Sequence, residues 1–402
     1  LGYAEQRLRR LIASEPSLAE RIEIEALNAV GLRLYNLRFG DTRIGGAEQI
    51  REVLAAVVAD APKTKFSLAF LISEWLEIVD AWQIRTWEGY RDVRRLGRKM
   101  RLSEALRKTL WELFEQVNAR LAANNIVTYA GVFTALADSL SASKSLPFDV
   151  VVVDEAQDVT VAQLRFLSVI GKSGQNALFF AGDLGQRIFQ TPFSWKSLGV
   201  DIRGRSKTLT VNYRTSHQIR QHADKLLEPE VADVDGNFES RKGTVSVFSG
   251  PAPVIAKAQD RAAETKLVGD WLKQHIENGV ALHEFCLIVR SELEIARAIA
   301  AAQSVSVPYQ IISDDALAPH GSVGIATMHI AKGHEFRAVA VMACDADVIP
   351  SQQRIAEITD EADLEEVYAT ERHLLYVAIT RARDFLLITS AGEASEFLDD
   401  LK

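Results

Sequence analysis

The sequence predicts an α/β protein with two parallel-sheet blocks and a helical module inserted into the first. From residue 147 onward, apolar strand runs alternate with amphipathic helices, the pattern of a mostly parallel sheet covered on both faces. Between 36 and 146, apolar residues instead recur at helical spacing without a strand run. The 402 residues are 48% hydrophobic and 25% charged, an ordinary globular composition with room for two or three domains at roughly 150 residues each.

The elements follow in chain order. Residues 1–35 read as a helix with Leu8, Leu11 and Ile12 on one side, then a strand-like IEIEAL over 22–27. FSLAFLISEWLEIV (66–79) and LSEALRKTLWELFEQVNARLAA (102–123) are helices of the inserted module. FDVVVVDEAQD (148–158) is a buried strand ending in carboxylates, and TVAQLRFLSVIG (160–171) is a helix closed by glycine. ALFFAGD (177–183) and KTLTVNYRT (207–215) are further strands. In the second block TVSVF, EFCLIV, VGIAT, AVAVMA and FLLIT read as strands. The helices there are 254–276, 292–302 and 371–382, and 227–242 reads as a linker or loop. The expected boundaries are thus 1–35 and 147–216 for the first sheet domain, 36–146 for the insertion and 217–402 for the second sheet domain.

Composition narrows the function classes. A net charge of −8 argues against coating nucleic acid by bulk positive charge, but leaves room for a local basic groove. Cys286 and Cys344 lie in apolar runs and read as core residues of a reducing, cytoplasmic compartment. No apolar run approaches the roughly 18 residues that span a bilayer.

Ligands of open parallel sheets bind outside the carboxyl ends of the strands; four motifs stand just after strands, and a fifth lies at the end of a helix just before one. In VVVDEAQD, Asp154 and Glu155 suit Mg²⁺ binding and activation of an attacking water; two adjacent acids can equally cap the next helix. In FFAGDLGQRIF, Asp183 ends a strand and Gln186 follows, suited to sensing a γ-phosphate; a Gly-Asp turn is the plainer reading. In TVNYRTS, Arg214 offers a fork of donors to phosphate and Tyr213 a stacking ring, or the two are structural. In IATMHIAKGHEF, Thr327, His329 and Lys332 can grip a phosphodiester, and Glu335 can accept from a ribose. In ERHLLYVAITRAR, Arg381 at a helix end is an arginine finger or a favourable C-terminal charge.

VVVDEAQD, GDLGQRIF, NYRT, TMHIAKGHEF and YVAITRAR, in that order, resemble motifs II to VI of the UvrD/Rep-like superfamily 1 helicases, over Phe148 to Thr389. IEIEALNAVGLRLY is similar to motif Ib, with Ala26, Leu27 and Asn28 where the family carries Thr-Phe-His. The resemblance implies two RecA-like motor domains that clamp ATP–Mg²⁺, and 3′-to-5′ movement on single-stranded DNA or from single/double-strand junctions. It implies Mg²⁺ on Asp154, water activation by Glu155, coupling through Gln186, adenine stacking on Tyr213 and phosphate contacts from Arg214 and Arg381. Gly333 and Glu335 would flank the nucleotide. Phe189, Thr327, His329 and Lys332 would face DNA, together with Trp195, although Thr191–Pro192 stands where the family has Trp-Arg.

The family also carries a P-loop, GxxxxGK[ST], and none occurs in the 402 residues. Gly171–Lys172–Ser173 follows a helix and precedes a strand, the reverse of a P-loop, and Phe166 occupies the place of its first glycine. The chain starts at Leu1 rather than Met, so the expectation is an N-terminally truncated fragment, inactive as an ATPase. Only about 110 residues separate the NYR and TMH motifs, so little or no second helical domain is expected there. Residues 84–108 hold nine Lys/Arg against three acids, with Trp87 and Tyr90 among them and Trp82 just before. That suits nucleic-acid binding, or a solvated helix face with core aromatics. The alternative function is a helicase-like DNA- or protein-binding module without ATP hydrolysis.

Overall fold

The computed structural model describes residues 10–13, 15–60, 66–93, 102–174, 176–183, 193–227, 230–232, 238–240, 243–313, 321–356 and 361–401. They group into two compact units, the first within 1–182 and 190–201, the second within 183–189 and 202–402.

The first unit is mainly helical: α1 (Leu27–Phe39), α2 (Ala47–Asp60), α3 (Leu68–Glu74), α4 (Trp87–Asp92), α5 (Glu104–Ala123) and α6 (Tyr129–Ser141). Ser67, Thr86, Ser103 and Thr128 cap α3 to α6, each side chain accepting a backbone N–H of the first turn. Leu71, Trp75, Tyr90, Phe114 and Val117 form the module's core. The Tyr90 hydroxyl donates to the buried Glu74 at 2.9 Å, so Tyr90 is a core residue and not a stacking platform. After α3 the helix widens into a π-turn, Trp75–Asp80. Asp80 there accepts from Thr128 at 2.6 Å and Gln83 at 2.7 Å. Burial outweighs these bonds and pushes its carboxyl up to about 6.

Two sequence expectations fail here. IEIEAL forms no strand; Glu23 and Glu25 pair with Arg33 of α1 instead, which fixes the acids without a ladder. The inserted module does contain strands, the two-residue parallel pair β1 (Arg43–Ile44) and β2 (Ile126–Val127). The sheet part of the unit is β3 (Val151–Val153), α7 (Val161–Ile170) and β4 (Leu178–Phe180), with β3 and β4 parallel. A Thr160–Gln163 capping box starts α7, and Phe166 packs on Phe133 of α6. Gly171–Ser173 is a 3₁₀ turn at the carboxyl end of α7, where carbonyls rather than N–H groups are presented, so it cannot cradle phosphate.

The second unit carries β5 (Val211–Asn212), α8 (His217–Asp224), the antiparallel pair β6 (Glu230–Ala232) and β7 (Phe238–Ser240), and β8 (Val245–Ser246), which pairs parallel with β5. The pair β6–β7 lies inside the expected linker. The rest alternates: β9 (Val254–Ala258), α9 (Arg261–Glu277), β10 (Phe285–Val289), α10 (Ile295–Ser304), β11 (Tyr309–Ile311), β12 (Val323–Thr327), β13 (Phe336–Val341), α11 (Gln352–Ala356), α12 (Glu361–Thr380) and β14 (Ala382–Ala391). Six strands form one parallel sheet in the order β11-β12-β10-β13-β14-β9.

Strand alternation explains its burial. Phe285, Leu287 and Val289 pack with Val268, Ala298 and Ala301 of α9 and α10. Cys286 and Ile288 pack on the opposite face with Ile219, Leu374 and Ala378 of α8 and α12. Burial pushes both cysteine thiols well up. The expected helix over 254–276 is corrected to a strand and a helix. Val254–Ala258 joins the sheet edge beside β14, and Asp260 caps α9 by accepting from Ala263 N–H. The VIAKA run fits either period, and pairing with β14 decides it. Among the described residues no helix is long and apolar enough to cross a membrane.

Candidate functional site

The acids of the first unit stand at the carboxyl end of β3. Asp154 accepts the Glu155 N–H at 2.9 Å. Glu155 adopts φ 51° and ψ 41°, a left-handed conformation that costs a non-glycine residue about 1 kcal/mol. Its carboxylate accepts the Gln157 side-chain amide. Backbone bonds from Ala181 N–H to Val153 and from Ala156 N–H to Ala181, both 2.8 Å, tie this turn to the end of β4. Gly182 lets the two turns approach closely: a Cβ there would lie 2.5 Å from Gln157 Oε1, the end of a side chain, and 3.1 Å from Ala156 N. Among the described residues no group of three or more His, Cys, Asp or Glu could hold a metal by itself. Mg²⁺ commonly relies on one or two carboxylates, water and substrate phosphate, and the exposed Asp154 oxygens fit that role.

Other motif residues of this unit are placed more plainly. Half-buried Trp195 packs edge-on against Phe180 of β4, ring centroids 4.9 Å apart. Asn28 accepts the Gln163 amide at 2.9 Å and so links α1 to α7. Gln186 and Phe189 lie outside the described residues, as do 94–101 of the basic stretch. Arg107 donates to the Tyr90 and Arg91 carbonyls, and Arg91 pairs with Asp92.

The second unit gathers its motif residues around one loop, 328–335, between β12 and β13. His329 opens it. Near its end Gly333 takes φ 83°, the left-handed region that favours glycine. The next carbonyl, that of His334, accepts Arg214 Nη2 at 3.0 Å and Arg381 Nη1 at 3.3 Å. Arg381 is almost wholly buried; its Nε donates to the Val377 carbonyl at 3.0 Å, and its own carbonyl accepts Phe336 N–H. Arg214 also forms an ion pair with Glu335 at 2.8 Å, and Asn212 accepts the Arg214 N–H. Beside them Tyr213 is 74% exposed, a ring face open to stacking. The resemblance gives Glu335 a nucleotide-side role; in this structure its carboxylate pairs with Arg214.

Sequence reading missed a second cluster, which stands at the carboxyl edge of the six-strand sheet, whereas His334 and Arg381 directly precede β13 and β14. Arg290, directly after β10, forms a two-pronged ion pair with Glu371 of α12, both contacts 2.6 Å and both side chains buried. Arg354 of α11 donates to the same carboxylate at 3.1 Å. Met328 N–H donates to the Val289 carbonyl, which sets Arg290 and His329 at adjacent strand ends. Burial and the Arg290 charge hold the His329 imidazole down at about 4. Arg290 was legible as a residue just after a strand; its partner eighty-one positions on was not.

The described residues thus define a parallel-sheet α/β protein whose charged motif residues gather at the ends of strands. Family models agree: one described as the UvrD/REP helicase N-terminal domain matches residues 18–195, and one described as the UvrD-like helicase C-terminal domain matches residues 312–393. A probable DNA helicase of Mycoplasma pneumoniae is 27% identical over 259 residues, 61% of this chain and 44% of that protein. A probable DNA helicase II homolog of Rickettsia conorii is 43% identical over 79 residues, 20% of this chain and 11% of that protein. Among solved structures, the C-terminal domain of a possible DNA helicase from Lactobacillus plantarum is similar at 22% identity and a TM-score of 0.34, over 47% of this chain and 94% of that one. The chain belongs to the UvrD/Rep-like superfamily 1 helicases. It spans less than half the length of these curated relatives.

Proposed function

We propose that the protein is an ATP-driven DNA helicase or translocase that moves 3′-to-5′ on single-stranded DNA in the cytoplasm, engaging single strands and single/double-strand junctions. The observation that carries the reading is the convergence of Arg214 and Arg381 on the His334 carbonyl. Two guanidinium groups from distant motifs are brought to one loop end, as charge stabilisation of a transferring phosphoryl group requires. In this reading Asp154 holds the hydrated Mg²⁺ that neutralises phosphate charge. Glu155 takes the proton of the attacking water, and Gln186 orients that water. Tyr213 stacks on adenine, with Gly333 and Glu335 beside the nucleotide. Thr327, His329, Lys332, Phe189 and Trp195 contact the polynucleotide. The domain division proposed is the one expected from sequence, with 183–189 and 202–216 assigned instead to the second unit.

The lack of a GxxxxGK[ST] motif in the 402 residues favours a second reading, DNA or partner binding without hydrolysis. The test is ATPase activity of the full gene product beside these 402 residues, with and without a single-stranded oligonucleotide. DNA-stimulated turnover by the full product and negligible turnover by the 402 residues are expected. DNA binding without turnover in the full product overturns the motor reading.

A further inference from the structure

The charged cluster on α12 has a place in the fold that the motif roles leave unused. Glu371 lies in the interior of α12 and is fully buried. Arg290 occupies both its oxygens, and Arg354 shares one of them. A buried carboxylate that receives three guanidinium hydrogen bonds fixes its helix firmly against the sheet edge. Arg290 leaves the strand next to the one that ends in Thr327 and leads to His329. Ten residues beyond Glu371, about 15 Å along a helix, the chain reaches Arg381. One stiff helix therefore joins the edge that carries Thr327 and His329 to the guanidinium that shares the His334 carbonyl.

We propose that Glu371, through Arg290, is a positioning residue that couples polynucleotide contact at the 327–329 edge to the placement of Arg381. The proposal rests on the motor reading above. A polynucleotide phosphate beside His329 draws on the Arg290 guanidinium. Any adjustment of Arg290 is passed to Glu371 and so to the end of α12. Without the ion pair, DNA still binds and ATP still turns over slowly, but binding no longer accelerates turnover.

The experiment uses the full gene product with ATP and a single-stranded oligo-dT, and reads DNA-free turnover, DNA-stimulated turnover, DNA affinity and melting temperature. In Glu371→Gln the stimulation ratio is expected to fall about tenfold, the scale of a typical coupling between sites, with DNA-free turnover and DNA affinity unchanged. Losing one buried partner strands the other charge, so this variant can fail to fold. Arg290→Lys keeps the charge and loses the fork, and is expected to lower the ratio in part. In the double variant Arg290→Gln/Glu371→Gln, melting temperature is expected to recover without recovery of stimulation. Wild-type stimulation in folded Arg290→Lys, or stimulation that recovers together with melting temperature, overturns the coupling alone. A loss of DNA affinity that accounts for the lost stimulation also overturns it. An unsubstituted protein without DNA-stimulated turnover overturns the motor reading and the coupling with it.

Discussion

Glu155 and Arg381 each end up at a strand edge, but they are held there differently. Glu155 sits on a two-strand parallel pair and is aimed by its own backbone, which turns left-handed just after β3. Arg381 sits beside a six-strand sheet buried on both faces, and its guanidinium and carbonyl are clamped by Val377, His334 and Phe336. In the first case a left-handed backbone residue aims a half-buried carboxylate. In the second, a buried guanidinium is held by the backbone carbonyls of Val377 and His334. Substitutions at the acid edge should therefore separate stability from activity, whereas those at the arginine should change both.

The largest expected effect is on turnover. Glu155→Gln in the full gene product should lower ATP turnover by roughly 10²–10⁴-fold while fluorescent-nucleotide titration shows retained affinity. Unchanged turnover removes Glu155 from the chemistry. Arg381→Lys should lower kcat by about 10³-fold, the lower range for an arginine finger, and should also lower the melting temperature because the Val377 and His334 carbonyls lose a rigid fork. A destabilised protein with normal specific activity would leave Arg381 as a purely structural residue.

Stability sharpens the contrast further. Gly182→Ala should cost about 1–3 kcal/mol by overpacking against Gln157 and Ala156. Glu155→Gly should raise stability by about 1 kcal/mol through release of the left-handed strain and abolish turnover. Denaturant melts read both, and equal destabilisation by the two variants would show that backbone strain is not what holds the acid edge.

The smallest effects are in pH dependence, where the two units run in opposite directions. His329 is held below its ordinary value, at about 4. Stability from its neutral ring is complete above about 6.5 and is lost as pH falls through 4. Asp80 is raised from 3.8 to about 6. Stability from its protonated form is complete below about 3.8 and is lost as pH rises through 6. His329→Gln should remove a rising slope between these limits and Asp80→Asn a falling one. Melts that keep their original slopes refute the burial argument for the residue concerned.

Strand periods were legible where an apolar run is buried on both faces of the sheet. EFCLIV and VGIAT form strands β10 and β12 almost as read, because runs buried on both faces leave no alternative packing. IEIEAL misled because strict alternation is also satisfied by acids reaching one arginine, Arg33. VIAKA misled because five residues fit either period. The motif residues around loop 328–335 were legible from strand ends, but the Arg290–Glu371 pair was not, since its members are far apart in sequence and belong to different kinds of element.

The sequence alone determined the alternation of strands and helices, the charged residues at strand ends and their order along the chain. These depend on local period and on the residue that follows each apolar run. Only the tertiary structure decided that one backbone carbonyl would receive Arg214 and Arg381, and that one buried carboxylate would receive Arg290 and Arg354. Such convergence depends on which strands become neighbours in the sheet, and neighbour choice is settled by packing across the whole core.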